Sequence, residues 1–418
     1  MSAPAAIHGV AAGGRAGIRL RDQLLFLAVL SSFFVMTDPA PHELIVSAGM
    51  LILLGSSMRL PRFMVALVGL LLVLNVSGII AAVPIMERTR VVNFAITSVF
   101  LAVSTFFYGL LLSERTEVRI DMLRRAWVIA ALLASLAAIA GYFNVAGTSA
   151  LFTAYEGTRA KATFNDPNVF GPFLIPPTLF IAQDLIHGAR KSLPLIVSFL
   201  FLCAGQFLSF SRASWAHLVG SLLLMALLTL ITTGSARLRA RILVTGFAGV
   251  VLLAALVAVL LSLDSVGRVF AERASLQQSY DLKTGGRFDN YFNALNVLLA
   301  APWGVGPFAF AARFGEDAHN AYLNTFLSYG WAGGLSYLAL CIATMILAIS
   351  GLRRAHPLRP HMIVLAASFV PLAMVGFIIH TDHWRHYFLL VAAIWALRAA
   401  MQPFAPAASA RLKQAPRH

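Results

Sequence analysis

Arg212, Arg287 and His319 head the groups in this chain suited to chemistry on an anionic, hydroxyl-bearing substrate. Arg287 opens a run in which Phe288, Tyr291, Phe292, Leu295, Leu298 and Leu299 recur at helical spacing, closed by Pro302 and the Gly304–Gly306 turn. The spacing predicts a short amphipathic helix lying on a membrane surface. A cation at a helix start opposes the dipole, but with the free backbone N–H groups it can form a joint phosphate site. His319 and Asn320 begin a second helix-like stretch that passes Gly330, Gly333 and Gly334, glycines suited to close helix packing. A neutral imidazole, titrating near pH ~6.5 in water, can take a proton from an attacking hydroxyl. A helix-capping or interfacial histidine would look the same at this level.

Further basic residues sit in short connectors between apolar runs. Arg159 and Lys161 precede Asn165-Asp166-Pro167-Asn168, which is turn chemistry followed by a helix start. Arg212 lies in SFSRASW, where Ser209, Ser211 and Ser214 can satisfy backbone groups at a sharp break between spans. A snorkelling interfacial arginine is the plainer reading. The stretch HTDHWRH, with His380, Asp382, His383 and His386, offers metal-type donors but no distinctive zinc spacing. The chain has no GxxxxGK[ST], GxSxG or CxxC motif.

The elements that must position these residues are membrane spans. Of 418 residues, 59% are hydrophobic and only 12% charged, and the mean hydropathy is +0.80. Those values exclude an ordinary soluble domain. The expected architecture is an all-α, polytopic membrane helical bundle of about 12 spans, each of about 20 residues. Spans are expected near 23–37, 43–57, 63–86 (with a possible break at Asn75 or Gly78), 91–113, 126–143, 169–187, 194–210, 213–233, 241–263, 331–350, 362–380 and 385–401. The chain then divides into a cytoplasmic tail 1–22, spans over 23–263, a long periplasmic loop 264–318, a closing helical part 319–401 and a cytoplasmic tail 402–418. Arg15, Arg19 and Arg21 precede the first apolar run, and no small-residue cleavage site follows it, so it is expected to be retained as a span. Cys203 and Cys341 fall inside apolar runs, as small core residues do.

Charge orients the bundle. Of 32 Lys and Arg, 21 fall in the segments that are cytoplasmic when both termini are inside. The positive-inside rule therefore accounts for the net charge of +15, and nucleic acid is not an expected partner. Arg88, Arg90, Arg159, Lys161, Arg212 and Arg385 are exceptions, in short outer connectors that the rule disfavours. An anionic ligand on the outer face would keep them there, because arginine binds phosphate oxygens bidentately. Pairing with Glu87, Glu156 or Asp382, or with lipid phosphates, is the competing explanation.

Four stretches in order, GTRAKATFNDPNVFG, SFSRASW, GGRFDNYFNALNVLLAAPWGVG and AHNAYLNTFLSYGWAGG, span about Gly157 to Gly334. Together they resemble the O-antigen ligase and polymerase superfamily of bacterial inner-membrane proteins. The N-terminal third matches only in hydrophobicity and expected topology.

The resemblance implies a GT-C type glycosyltransferase with a periplasmic site, using a glycan carried on undecaprenyl diphosphate and needing no cofactor and no metal. It places the diphosphate-holding arginines at Arg212 and Arg287 and the base at His319. Arg159, Lys161, Arg88, Arg90 and Asn320 are expected to support substrate binding. The expected reaction is attack of an acceptor sugar hydroxyl on the anomeric carbon with inversion. The acceptor would be another glycan or a lipid A-core type saccharide, within the lipids of the inner membrane. The alternative from another class is a transporter or flippase of lipid-linked glycan. Against it, the sequence shows no internal repeat and gathers its polar residues at one face.

Overall fold

Apolar residues recur at helical period through most of the chain, and helices are what form. The computed structural model describes residues 6–55, 60–188, 192–274, 287–353 and 355–401, leaving aside the side chains of 6–16 and 287–288. Lys283, the Arg287 side chain and the expected tail 402–418 thus lie outside the described residues.

The helices are α1 (Ala6–Ser31), α2 (Pro41–Leu54), α3 (Arg62–Ala82), α4 (Thr89–Ser113), α5 (Thr116–Tyr142), α6 (Ser149–Phe152), α7 (Pro167–Phe173), α8 (Ile175–His187) and α9 (Ser192–Leu208). They continue as α10 (Arg212–Thr232), α11 (Ala236–Leu261), α12 (Asp264–Ala274), α13 (Arg287–Ala300), α14 (Ala309–Phe314), α15 (Ala321–Gly351), α16 (Arg359–Val375) and α17 (Arg385–Ala400). A two-residue antiparallel ribbon, β1 (Thr153–Ala154) with β2 (Arg159–Ala160), pairs Thr153 with Ala160 and Ala154 with Arg159.

Each stretch expected as a span overlaps a helix, though 32–37 and 376–380 lie beyond the helix ends. Among the described residues, seven helices are long and apolar enough to cross a membrane: Arg62–Ile85, Thr89–Ser113, Thr116–Tyr142, Pro167–His187, Arg212–Thr232, Ala236–Leu261 and Ala321–Gly351. Pro41–Leu54, Ser192–Leu208 and Arg359–Val375 are apolar but shorter. On α11, Leu243, Val244, Phe247 and Val250 are 67–74% exposed. A helix with that much bare apolar surface is suited to hydrocarbon, where its backbone is already satisfied internally. At the other extreme, residues 386–397 of α17 are buried without interruption, as expected of a helix enclosed on all sides. It packs on α4, α15 and α16.

Two expectations about span ends are corrected. The first helix begins at Ala6, within the stretch expected as a tail, and ends at Ser31. The third runs unbroken through Asn75 and Gly78. Asn75 Nδ2 donates to the Leu71 carbonyl at 2.8 Å, so its amide is served within the helix. Gly78 serves packing, since a Cβ there would lie 2.3 Å from the Tyr329 ring on α15.

At one end of the bundle the fully buried Arg119 donates to Asp22 at 2.8 Å, Glu114 at 3.2 Å and the Leu111 carbonyl at 2.6 Å. Arg21 and Arg115 complete the pairing with Glu114 and Asp22, tying α1 to α5. Breaking such a buried pair typically costs about 3–5 kcal/mol.

The long polar interval docks through its own small core. Ala294, Leu298, Phe310, Ala318 and Leu327 are buried together there, apart from the main core of the bundle. The amphipathic helix expected near 288–299 is α13, and its Phe292, Leu295 and Leu299 stay exposed.

Candidate functional site

His319 stands two residues before the first residue of α15, held there by the chemistry of its neighbour. Asn320 is the N-cap, and its Oδ1 accepts from the backbone N–H of Tyr322 and Leu323, each at 3.0 Å. Such a cap contributes about 1 kcal/mol. The Asn320 Nδ2 donates to the Phe377 carbonyl at 3.1 Å, and the Ala321 N–H donates to Gly376 at 2.7 Å. His319 takes φ +46°, a left-handed conformation that costs a non-glycine residue on the order of 1–3 kcal/mol. Asn320 and the 376–377 turn thus hold the His319 backbone in a conformation it would not choose alone.

The same carbonyl anchors α13. Tyr291, one helical turn after Arg287, donates its hydroxyl to Phe377 O at 2.7 Å and lies 3.5 Å from His319 O. The structure therefore brings the helix headed by Arg287 against the backbone of His319. Sequence reasoning treated Tyr291 only as one of the regularly spaced apolar positions. Its hydroxyl, one turn from the arginine, was the available signal.

Beyond His319 the ring of His380 stands edge-on with centroids 5.9 Å apart, and His380 Nδ1 is 3.9 Å from Asp382 Oδ1. Asp382 is 4% exposed and forms the hub of a relay. Its Oδ2 accepts from Asn324 Nδ2 at 2.9 Å and from His383 Nδ1 at 3.2 Å. In the neutral tautomer this leaves His383 Nε2 to accept from the Tyr329 hydroxyl at 3.2 Å, which in turn lies 3.0 Å from Ser98 Oγ. Burial pushes the Asp382 carboxyl up, but the hydrogen bond and charge of His383, with the charge of His380, outweigh it and hold it below the usual carboxylate range. The HTDHWRH stretch, weighed as a metal site in sequence, is engaged in this hydrogen-bonded relay. Among the described residues, no group of three or more His, Cys, Asp or Glu is placed to hold a metal ion.

A second group gathers around Arg212, the first residue of α10. Ser211 caps that helix, its Oγ accepting from Ser214 N at 3.3 Å. Arg159, 5% exposed, donates from Nε to the Ser209 carbonyl at 2.9 Å and from Nη2 to Asn168 Oδ1 at 2.9 Å. Its guanidinium also lies 5.2 Å from the Tyr155 ring centroid. Asn168 is fixed by the turn before it: Asp166 caps α7 and accepts from Asn168 N at 2.6 Å. The turn read from Asn165–Asn168 is therefore both a helix cap and the support for Arg159. Lys161 is half-buried, and its N–H donates to Phe152 O at 2.9 Å.

Arg88 and Arg90 lie at the start of α4, both exposed. Arg88 is 3.7 Å from Glu87, the pairing considered as the alternative to ligand binding. Arg90 sits 5.2 Å over the ring of Phe308, which belongs to the long interval. One turn on, Phe94 stacks on His383 at 3.9 Å between centroids, so the start of α4 touches the relay. Arg385 pairs with Glu43, not with Asp382. Beside the relay lies a cavity of about 280 Å³, lined by residues near the end of α1, by α2 and α4, by residues from Phe164 to Phe173 and by residues from His383 to Leu389.

Residues 197–338, about a third of the chain, match the family model described as O-antigen ligase. Arg212, Arg287 and His319 all fall within the matched stretch, whereas Arg88, Arg90, Arg159 and Lys161 precede it. No curated protein matches the chain.

Proposed function

We propose that this chain, which the match over residues 197–338 places in the O-antigen ligase and polymerase superfamily, transfers a glycan from a polyprenyl diphosphate to a sugar hydroxyl at the outer face of the membrane. The observation that carries the reading is that match, because it contains the arginines and the histidine that the reaction needs. In the proposed step His319 takes the proton of the acceptor hydroxyl as its oxygen bonds to the anomeric carbon. The bond from that carbon to the diphosphate breaks on the opposite face, and the polyprenyl diphosphate leaves with the electron pair. Configuration inverts. Arg212 and Arg287 offset the charge that builds on the leaving group, which is where a preorganised cation is worth most. Arg159 supports this by holding the backbone turn that presents Arg212.

The geometry around His319 favours a base over a plain helix cap. Asn320 already provides the cap, and the imidazole stands edge-on to His380, which in turn lies beside Asp382. Distribution of charge supports the outer face, since both arginine groups lie in connectors outside the segments that carry most Lys and Arg.

The test is reconstitution. Full-length protein in proteoliposomes, given an undecaprenyl diphosphate-linked glycan and a saccharide acceptor, is expected to form extended glycan and release undecaprenyl diphosphate in equal amounts. Movement of the lipid-linked glycan between leaflets without any new glycosidic bond would replace the reading with a transporter. Sidedness is checked with Arg313→Cys at an exposed site in the long interval, where Cys203 and Cys341 are buried and should stay silent. Labelling of position 313 from the cytoplasmic side alone would move the site to the wrong face.

A further inference from the structure

The cavity beside the relay is lined, apart from His383, by side chains that the proposed transfer step does not use. His386 is 3% exposed and its Nε2 has no hydrogen-bond partner; His42 is 2% exposed and its Nδ1 has none. Arg385 is held in place by Glu43, which also accepts from the Ala40 N–H at 2.8 Å. That pairing leaves Arg385 Nη1 buried and unpartnered. Those three atoms have almost no accessible surface, so they form a polar layer behind the wall, and the side chains open to the cavity include Arg385, Glu43, Thr97 and Asn165. Trp384, 7% exposed, adds an aromatic face, and its ring lies 5.3 Å from that of His386.

The charge of the walls decides what fits. Asp38 and Glu43 line the cavity against the single cation Arg385. A diphosphate would meet two carboxylates there, so it belongs with Arg159 and Arg212 and not in this space. The volume of about 280 Å³ is at the small end of the range usual for ligand pockets, about 300–1,000 Å³, and is of the scale of one sugar ring. A mixture of donors, acceptors and an aromatic face within one compact space suits a neutral polyhydroxyl ring.

We propose that this cavity is a binding subsite for one uncharged hexopyranose ring of the glycan, with Arg385 donating to ring hydroxyls, Glu43 accepting from them, and Thr97 and Asn165 as further partners. The proposal rests on the glycan-transfer reading and adds to it a place for the sugar. Its walls include residues of the connector that carries Arg159 and of the segment after Asp382. His383 lines the cavity and also accepts from Tyr329 in the relay, so the subsite adjoins the His319 side directly. The ring belongs either to the donor or to the acceptor, and both would present the same hydroxyl chemistry.

The experiment is saturation-transfer NMR on the detergent-solubilised full chain with D-glucose, D-galactose, D-mannose, L-rhamnose and N-acetyl-D-glucosamine as probes. At least one probe is expected to show saturation transfer. Thr97→Phe, which fills the cavity, and Asn165→Leu, which removes an exposed amide from its wall, should each weaken it at least tenfold. Either variant serves if it keeps the wild-type melting temperature. His319→Ala should leave probe binding unchanged, so a failure of the transfer reading and a failure of the subsite show separately. Inorganic phosphate should not compete. In the transfer assay, a raised KM for the lipid-linked donor in Thr97→Phe assigns the ring to the donor, and a raised KM for the acceptor assigns it to the acceptor. No saturation transfer from any probe, equal binding by a folded Thr97→Phe variant, or displacement by phosphate would each overturn the proposal.

Discussion

The hydroxyl of Tyr291 donates to the carbonyl of Phe377 at 2.7 Å, and the amide of Asn320 donates to the same oxygen at 3.1 Å. One backbone oxygen thus fastens both the helix headed by Arg287 and the cap that holds His319. The register between the proposed diphosphate helix and the proposed base is set at this point, outside either functional side chain.

Tyr291→Phe keeps the ring and removes that tie. A single intramolecular hydrogen bond contributes about 0.5–1.5 kcal/mol, so a loss of up to about tenfold in transfer rate is expected with little change in melting temperature. Steady-state transfer by the purified variant checks it. An unchanged rate would show that the register is fixed elsewhere.

Arg159→Lys retains the charge but not the fork that reaches Ser209 and Asn168 together. Transfer is expected to fall by about tenfold or more, mainly through weaker use of the lipid-linked donor, as a buried hydrogen bond to a charged group contributes about 1.5–3 kcal/mol. Donor titration at saturating acceptor measures this. Wild-type KM and kcat would limit Arg159 to a structural role apart from donor binding.

Asp382→Asn tests the relay through pH. The folded carboxyl stands below its usual range, so its ionised form stabilises the fold. That contribution is fully present above the unfolded value of about pH 3.9 and is lost as pH falls through the lower folded value. Melting temperature measured from pH 7 down to 3 should decline at the acid end for the wild type and decline less for the variant. Parallel curves would mean that Asp382 gains nothing from its histidine neighbours.

Gly330 takes φ +68° inside α15, where an added Cβ would lie 2.6 Å from the Trp303 carbonyl carbon. Gly330→Ala should therefore lower the melting temperature by several degrees, from backbone strain of about 1–3 kcal/mol together with the steric clash. A variant as stable as the wild type would show that the long interval is not pinned to α15 at this turn.

Much of the bundle was legible because a helix pattern written in Leu, Val and Phe has only one economical reading in a membrane. The helix after Arg287, the turn before α7 and the break at Ser211 were readable from spacing and turn residues. The start of α1 at Ala6 was not, because its first residues lack apolar periodicity. The unbroken α3 was missed because Asn75 and Gly78 look like breakers until Leu71 and Tyr329 are seen beside them. The HTDHWRH stretch was noticed, but its role depends on Asn324 and Tyr329, more than fifty positions away in the chain. Long-range hydrogen bonds of that kind leave no local signature. The pairing of Arg385 with Glu43, over 342 positions, is another case.

The most direct test of the account is single-turnover transfer by His319→Ala in proteoliposomes preloaded with undecaprenyl diphosphate-linked glycan. Loss of a positioned general base should slow the chemical step by about 10²–10⁴-fold while donor binding and melting temperature stay near wild type. A transfer rate within a few fold of wild type, from a folded variant, would contradict the assignment of His319 as the base.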